Sequence, residues 1–309
     1  MKQITNTIMM IEPLSFGYNE QTAVNNYYQR FSSNTIDANV QDIALIEFNN
    51  FVQILRHKGV NVIVIKSNSF DAPDSIFPNN WISTHSDGSI FLYPMFAKNR
   101  RIERRPDIID YLKKNFIVKN VFNNTSFYES NNLFLEGTGS MVLDRKNKIA
   151  YSSISERTNQ ELVEKWCSKM NFSSTIFTSY QSLGKKKEII YHTNVMMCVA
   201  DEFAIICLES IHNKIERNKV INCLHKSGKE IIDISEEQTS KFAGNMLQVM
   251  GHEKYLIMSD SALKSLNDNQ KERIKKYNKI VHINLETIEL FGGGSARCMM
   301  TEIFLQIKE

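Results

Sequence analysis

No apolar run in this chain lasts long, and that property most restricts what it can fold into. Strand-sized runs cover residues 61–66 (NVIVIK), 89–93 (SIFLY), 194–199, 203–208, 230–234, 255–258 and 280–284. Amphipathic stretches separate them and predict helices over 37–58, 105–116, 157–170, 213–226, 236–250 and 260–277. In the first, Val40, Ile43, Ala44, Ile46, Phe51, Ile54 and Leu55 mark one face, and Gly59 follows where a helix C-terminus favours glycine. In 105–116, Pro106 stands near the start, where its missing N–H costs nothing. Short strands alternating with helices make an α/β chain.

Two stretches read as hairpins. MVLDRKNKIAY turns at 145–147 and VMMCVADEFAIICL at 200–202, and each runs on into a helix and another strand. That is ββαβ twice, with a similar arrangement expected around 82–120. The recurrence is architectural and does not align letter by letter. With 12 Gly and 5 Pro in 309 residues, no Pro/Gly/Ser-rich linker divides the chain. A single domain over 1–309 is expected, long enough to bury a sizeable core.

Composition narrows the partners. Hydrophobic residues are 42% and charged residues 23%, which is ordinary for a soluble globular protein. The net charge of +3 is small, and Arg100-Arg101, Arg104-Arg105 and Lys185-Lys186-Lys187 are short and separated, so nucleic acid is not an expected partner. No apolar run reaches the roughly 18 residues of a membrane span. The N-terminal stretch, broken by Glu12, is a poor signal peptide. Five cysteines, an odd number without a CxxC, argue for a reducing, cytoplasmic setting and against a disulfide framework or a structural metal. No P-loop or dinucleotide fingerprint is present, so no cofactor is expected. The residues leave a homo-oligomer open.

Against that ordinary background GGGSARCMM (292–300) stands out. Glycines weaken regular structure and collect where backbone must bend or be closely approached. A cysteine after such a bend can sit exposed, with the N–H groups of Gly293 and Gly294 placed to meet a developing negative charge. The competing reading of Cys298 is a buried, inert core thiol. Cys167, Cys198, Cys207 and Cys223, inside strand or helix patterns, keep that reading. A thiol nucleophile needs a base. Of seven histidines, His192 in IIYHTNVMMCV stands at the mouth of an apolar strand, held and presented at once. Alone it is equally a hydrogen-bonded strand-end histidine. Glu136, ending an apolar run before Gly-Thr-Gly, suits a cleft that donates hydrogen bonds, or simply reaches water.

Six stretches in order, DSIFPNNW, NRRIE, LEGTG, SERTN, HTNVMMCV and GGGSARCMM, resemble the arginine deiminase, dimethylarginine hydrolase and amidinotransferase superfamily of guanidine-modifying enzymes, nearest to the citrulline-utilisation hydrolase type. The resemblance spans nearly the whole chain. It implies a pentein-type fold, a five-bladed α/β propeller of ββαβ units around a central pocket. It also implies that Cys298 is the nucleophile, His192 the acid/base and Glu136 the active-site carboxylate. Asp74 falls on the aspartate that recognises the amino-acid portion of the substrate. Arg100 and Arg157 fall on arginines that would hold its α-carboxylate. A free amino acid is therefore the implied partner.

Two departures bear on the substrate. Arginine deiminases and dimethylarginine hydrolases carry an aspartate where FPNN has Asn80, preceded by Asn79. Arginine deiminases and amidinotransferases carry one two residues after the histidine, where this chain has Asn194. A guanidinium offers only donors and suits carboxylates, whereas a ureido group carries a C=O beside N–H groups and suits an amide. Citrulline, cleaved to ornithine, carbon dioxide and ammonia, is the expected substrate, with arginine, cleaved to citrulline and ammonia, next. An amidinotransferase handing the group to an amine, and a non-catalytic binding protein on the same scaffold, are the alternatives.

Overall fold

The computed structural model describes residues 1–30 and 39–308. The helix expected over 37–58 is Val40–His57, and residues 37 and 38 lie outside the described residues. Its Phe48, Phe51 and Leu55 are fully buried, each worth about 1.5–3 kcal/mol of apolar burial.

The architecture is mixed α/β, made of small sheets. Five of them have three strands and one plan, an antiparallel pair followed by a helical crossover to a parallel strand. Ile82–Thr84, Ser89–Leu92 and Asn120–Phe122 form one, crossing over through helix Pro106–Asn115. Val142–Asp144, Ile149–Ser153 and Ser173–Phe177 form the next, through Gln160–Met170. Met197–Val199, Phe203–Ile206 and Glu230–Asp233 follow, through Lys214–Lys226. Leu247–Met250, Lys254–Ser259 and Lys279–Ile283 are the fourth, and helices Asp260–Ser265 and Asp268–Lys275 connect them. The fifth joins the chain ends. Thr301–Glu302 pairs antiparallel with Thr7–Glu12, which pairs parallel with Asn61–Lys66.

The three ββαβ units expected from sequence are therefore present. Three element assignments change. Residues 236–250 are not one helix but Glu236–Ser240, a turn, and the strand Leu247–Met250. Residues 260–277 divide into two helices at Leu266–Asn267. The strand expected from 194 begins only at Met197, after a helical turn, Thr193–Met196.

That turn recurs. Shortly before the first strand of every unit the chain closes a turn with an i→i+3 hydrogen bond: Asn80 N to Phe77 O, Gly139 N to Glu136 O, Val195 N to His192 O, Asn245 N to Phe242 O, and Cys298 N to Ser295 O. Buried side chains pack the units into four apolar clusters. Among the described residues no helix is long and apolar enough to cross a membrane.

Candidate active site

The residues that sequence singled out lie on or beside these five turns. Glycine lets the turns meet. A Cβ on Gly139 would stand 2.5 Å from Asn80 Nδ2 and 2.8 Å from His192 Nδ1, and one on Gly137 2.4 Å from Asn79 O, where φ is already +49°. Asn80, Glu136 and His192 are thus drawn together from three units.

His192 Nε2 lies 2.8 Å from Glu136 Oε2, with both side chains buried. The other carboxylate oxygen accepts from Phe96 N at 2.9 Å, and the Arg157 guanidinium stands 3.6 Å from Oε2. Burial works against the Glu136 charge, but Arg157, His192 and Arg100 outweigh it and hold the carboxyl down at about 2. Burial, reinforced by the same two guanidiniums, pushes the His192 imidazole down to about 4 despite its carboxylate partner. At neutral pH the pair is therefore a carboxylate and a neutral imidazole.

Cys298 is buried, 3% exposed, rather than presented to solvent as its glycine-rich approach suggests. The segment from Phe16 to Arg30 packs on the glycine turn that leads to it. Asn26 Nδ2 donates to the carbonyls of Gly292 and Gly293, and Gln29 Nε2 to that of Phe291. Gly293 also departs from its expected role. Its φ of +59° ends the helix Glu286–Gly292, and its N–H donates to Glu289 O at 3.0 Å, so it is not free for an oxyanion. Its carbonyl accepts from Tyr191 Oη at 2.7 Å. Gly294 is needed for space, since a Cβ there would meet the Phe77 ring at 2.9 Å.

Among the described residues no hydrogen bond joins Cys298 Sγ to the His192 ring. Their link runs through neighbours. Tyr191 holds the Gly293 carbonyl, and Asn194 Nδ2 reaches Sγ at 3.5 Å. Asn245 Nδ2 is closer, at 3.2 Å. Sequence reasoning missed Asn245. The signal was the stretch Phe-Ala-Gly-Asn before Met-Leu-Gln-Val, which parallels Gly-Thr-Gly-Ser before Met-Val-Leu-Asp.

The charged residues form a second cluster. Asp74 Oδ2 accepts from Asn19 Nδ2 (2.8 Å) and Thr22 Oγ1 (3.0 Å), and burial raises its carboxyl from the ordinary range. Arg157 donates to Asn25 Oδ1 and to Thr22 O, and its guanidinium lies 4.8 Å over the Tyr191 ring. These partners belong to the same segment, 16–30. Arg100 is held differently, by Glu103 through both carboxylate oxygens at 2.9 Å, and it donates to Asn80 Oδ1 at 2.8 Å. Asn79 bridges Asn80 Nδ2 and Thr138 Oγ1. Among the buried polar side-chain atoms without a hydrogen-bond partner in the described residues, two are oxygens that can only accept while Asp74 is ionised, Asp74 Oδ1 and Asn194 Oδ1. No three His, Cys, Asp or Glu side chains gather as metal ligands among the described residues. A wide groove of about 1190 Å³, bordered by Tyr28, Tyr180, Phe242 and Glu289, lies apart from Cys298, His192 and Glu136.

The chain falls in the guanidine-modifying class of α/β enzymes that its sequence resembles. The family model for N,N dimethylarginine dimethylhydrolase, eukaryotic, matches residues 12–305, and the chain belongs to this family. That places it among the hydrolases of C–N bonds in amidines. Solved structures share the fold at low identity. The N-terminal domain of ArgZ bound covalently to a reaction intermediate superposes with a TM-score of 0.71 at 16% identity, covering 96% of this chain and 97% of that one. Full-length ArgZ, an arginine dihydrolase of cyanobacteria, is longer, and the chain spans 40% of it. A mutant of AgrE in complex with L-arginine gives 0.73 at 15% identity, over 98% of this chain and 41% of that one. Dimethylarginine dimethylaminohydrolase with an S-methyl-L-thiocitrulline adduct gives 0.63 at 15%, over 97% and 100%. No curated protein matches the sequence.

Proposed function

We propose that this chain is a cysteine-dependent hydrolase of a free amino acid with a ureido or guanidino group, citrulline first and arginine second. In this reading the five units are the blades of one propeller over 1–309, and the five turns close around its pocket. The observation that supports it is the pair of buried contacts His192–Glu136 and Asn194–Cys298, with His192 and Asn194 on one helical turn, beside two acceptors, Asp74 Oδ1 and Asn194 Oδ1, left unpaired. Buried acceptors without partners are costly, and N–H groups of a substrate would relieve them.

The chemistry follows from the parts. Neutral His192 takes the Cys298 proton as the substrate enters, and the thiolate adds to the ureido carbon. Charge on the ureido oxygen is met by amide donors of the site. His192 then returns the proton to the δ-nitrogen, which leaves as the amine of ornithine. Water, activated by the same ring, hydrolyses the S-linked carbamoyl group to carbon dioxide, ammonia and free thiol. Glu136 orients the ring. Arg157 is the partner for the α-carboxylate, and Asp74 that for the α-amino group, once the residues now bonded to them give way. Arg100, engaged by Glu103, acts instead by fixing Asn80.

Asn80 and Asn194 in place of anions favour the neutral ureido head, because a buried guanidinium would have fewer charges to balance it. Arginine is the second reading, and the relatives crystallised with L-arginine favour it. The odd number of cysteines, without a CxxC, favours a reducing cytoplasmic setting. Incubation with citrulline, arginine and dimethylarginine, with products identified by mass, tests the assignment. Ornithine from citrulline is expected, and consumption of arginine far faster than citrulline would overturn the preference.

A further inference from the structure

The fourth unit is the only one whose turn contributed nothing to the residues recognised from sequence, yet its turn reaches the sulfur. We propose that Asn245 is the group that holds the Cys298 sulfur in place and favours its thiolate, as a fixed hydrogen-bond donor. This rests on the reading of Cys298 as the reacting thiol.

The argument is one of orientation. An asparagine amide has two faces, and only its partners tell donor from acceptor. Asn245 is fully buried. Its Oδ1 accepts from Arg297 N at 3.0 Å, and its Nδ2 donates to Asn194 O at 2.9 Å. An N–H cannot receive the Arg297 N–H, and a carbonyl cannot donate to the Asn194 carbonyl, so the amide has one permitted orientation. The remaining hydrogen of Nδ2 points to Cys298 Sγ, 3.2 Å away. Asn194 is not fixed in this way, because its Oδ1 has no protein partner among the described residues. The donor that the sulfur cannot lose is therefore the one from Asn245.

The backbone is shaped to bring it there. Asn245 N donates to Phe242 O, closing the same turn that precedes Cys298 in the fifth unit. A Cβ on Gly244 would stand 2.3 Å from Val195 O, so only glycine lets this turn press against the Thr193–Met196 turn. One amide thus ties the Asn194 backbone, the Arg297 backbone and the sulfur into a single network. A donor on sulfur stabilises the thiolate more than the thiol.

The test reads the sulfur directly. Ultraviolet absorbance of thiolate is titrated against pH in the whole protein, and the Cys298→Ser titration is subtracted to isolate Cys298. Asn245→Ala is expected to move that titration upward by about one pH unit, a tenfold fall in thiolate fraction at a given pH. Asn245→Asp has the same size and keeps the acceptor for Arg297 N–H. It is expected to move the titration further, and it carries the test if the alanine variant does not fold. Turnover should fall about tenfold or more through kcat, with KM nearly unchanged. A folded Asp or Ala variant with an unmoved titration overturns the inference, even if Cys298→Ser is inactive. Turnover retained by Cys298→Ser instead removes the nucleophile reading, while the titration still decides what Asn245 does to the sulfur.

Discussion

Two halves of the site are built on opposite principles. Around Cys298 the partners are neutral: the amides of Asn194 and Asn245, the latter locked by two backbone groups. Around Glu136 they are charged: Arg157, then Arg100 with Glu103, and the buried Asp74. The His192 ring is the hinge between them, bonded to the charged half and two residues from the neutral one. Neutral amide donors bias a sulfur far less than a fixed charge would, which leaves it able to exchange its proton with a base during turnover. Fixed charges keep a carboxylate ionised under all ordinary conditions. One half is built to change state and the other to stay constant.

The comparison breaks first at its sulfur end. Cys298→Ala is expected to lower kcat by a factor of ~10⁴ or more, with an unchanged circular dichroism spectrum. A protein that still turns over at a tenth of its normal rate would mean that the neutral half is not reactive. On the charged side the largest signal is in stability. His192 lies far below its ordinary value of 6.5, at about 4. The unfolded chain takes up that proton below pH 6.5, and the folded one refuses it until about pH 4. Stability from this group is therefore full above pH 6.5 and declines as pH falls through the window, by on the order of 3 kcal/mol. Urea midpoints of wild type and His192→Gln, measured from pH 7.5 to 4, should converge by that amount as the pH drops. Parallel curves would show that the ring is not held neutral.

A smaller effect sharpens the contrast of neutral and charged parts. Asn80→Asp adds an anion against Arg100 and beside Gly139. It is expected to move the ratio of kcat/KM for arginine over citrulline upward by ~10-fold. An unchanged ratio would separate Asn80 from recognition of the reacting group.

What could be read in advance divides along the same physical lines. Hairpins at 145–147 and 200–202 were legible because apolar alternation and turn residues act locally. The fourth unit was not. Phe242, Ala243, Met246, Leu247 and Met250 fall at helical spacing, so the stretch reads as the tail of a helix. What ends that helix is Phe242 at φ 61°, followed by the Gly244 contact with Val195, both dictated by tertiary packing. Losing the strand meant losing Asn245, which stands before it. Cys298 stood out because a glycine-rich bend precedes it, and His192 and Glu136 because each sets a polar side chain at the end of an apolar run. The burial of Cys298 was not, since it follows from an apolar cluster whose members, from Ile8 to Met300, are drawn from distant parts of the chain. Arg100 was recognised, but its engagement by Glu103 was expected to be a substrate's carboxylate; the i, i+3 spacing in RRIE held that clue.

The least perturbing test addresses the segment 16–30, which joins the two halves. Asn25 Oδ1 accepts from Nε and Nη2 of Arg157, and its own Nδ2 donates to Glu156 Oε2 at 2.9 Å. A substrate carboxylate would compete with Asn25 for the same guanidinium. Asn25→Ala removes the competitor but leaves Asn19 and Thr22 on Asp74 and Asn26 on the Gly292 carbonyl, so the segment is loosened rather than lost. Water replaces much of what the amide supplied, and the net change is about 0.5–1 kcal/mol, a factor of ~3–5. Iodoacetamide should then label Cys298 about three to five times faster at neutral pH, while kcat changes less than about twofold, because no group around the sulfur or Glu136 has been altered. A labelling rate equal to that of wild type would show that access to the thiol does not pass through the Arg157 contact. The charged half would then take no part in closing the site.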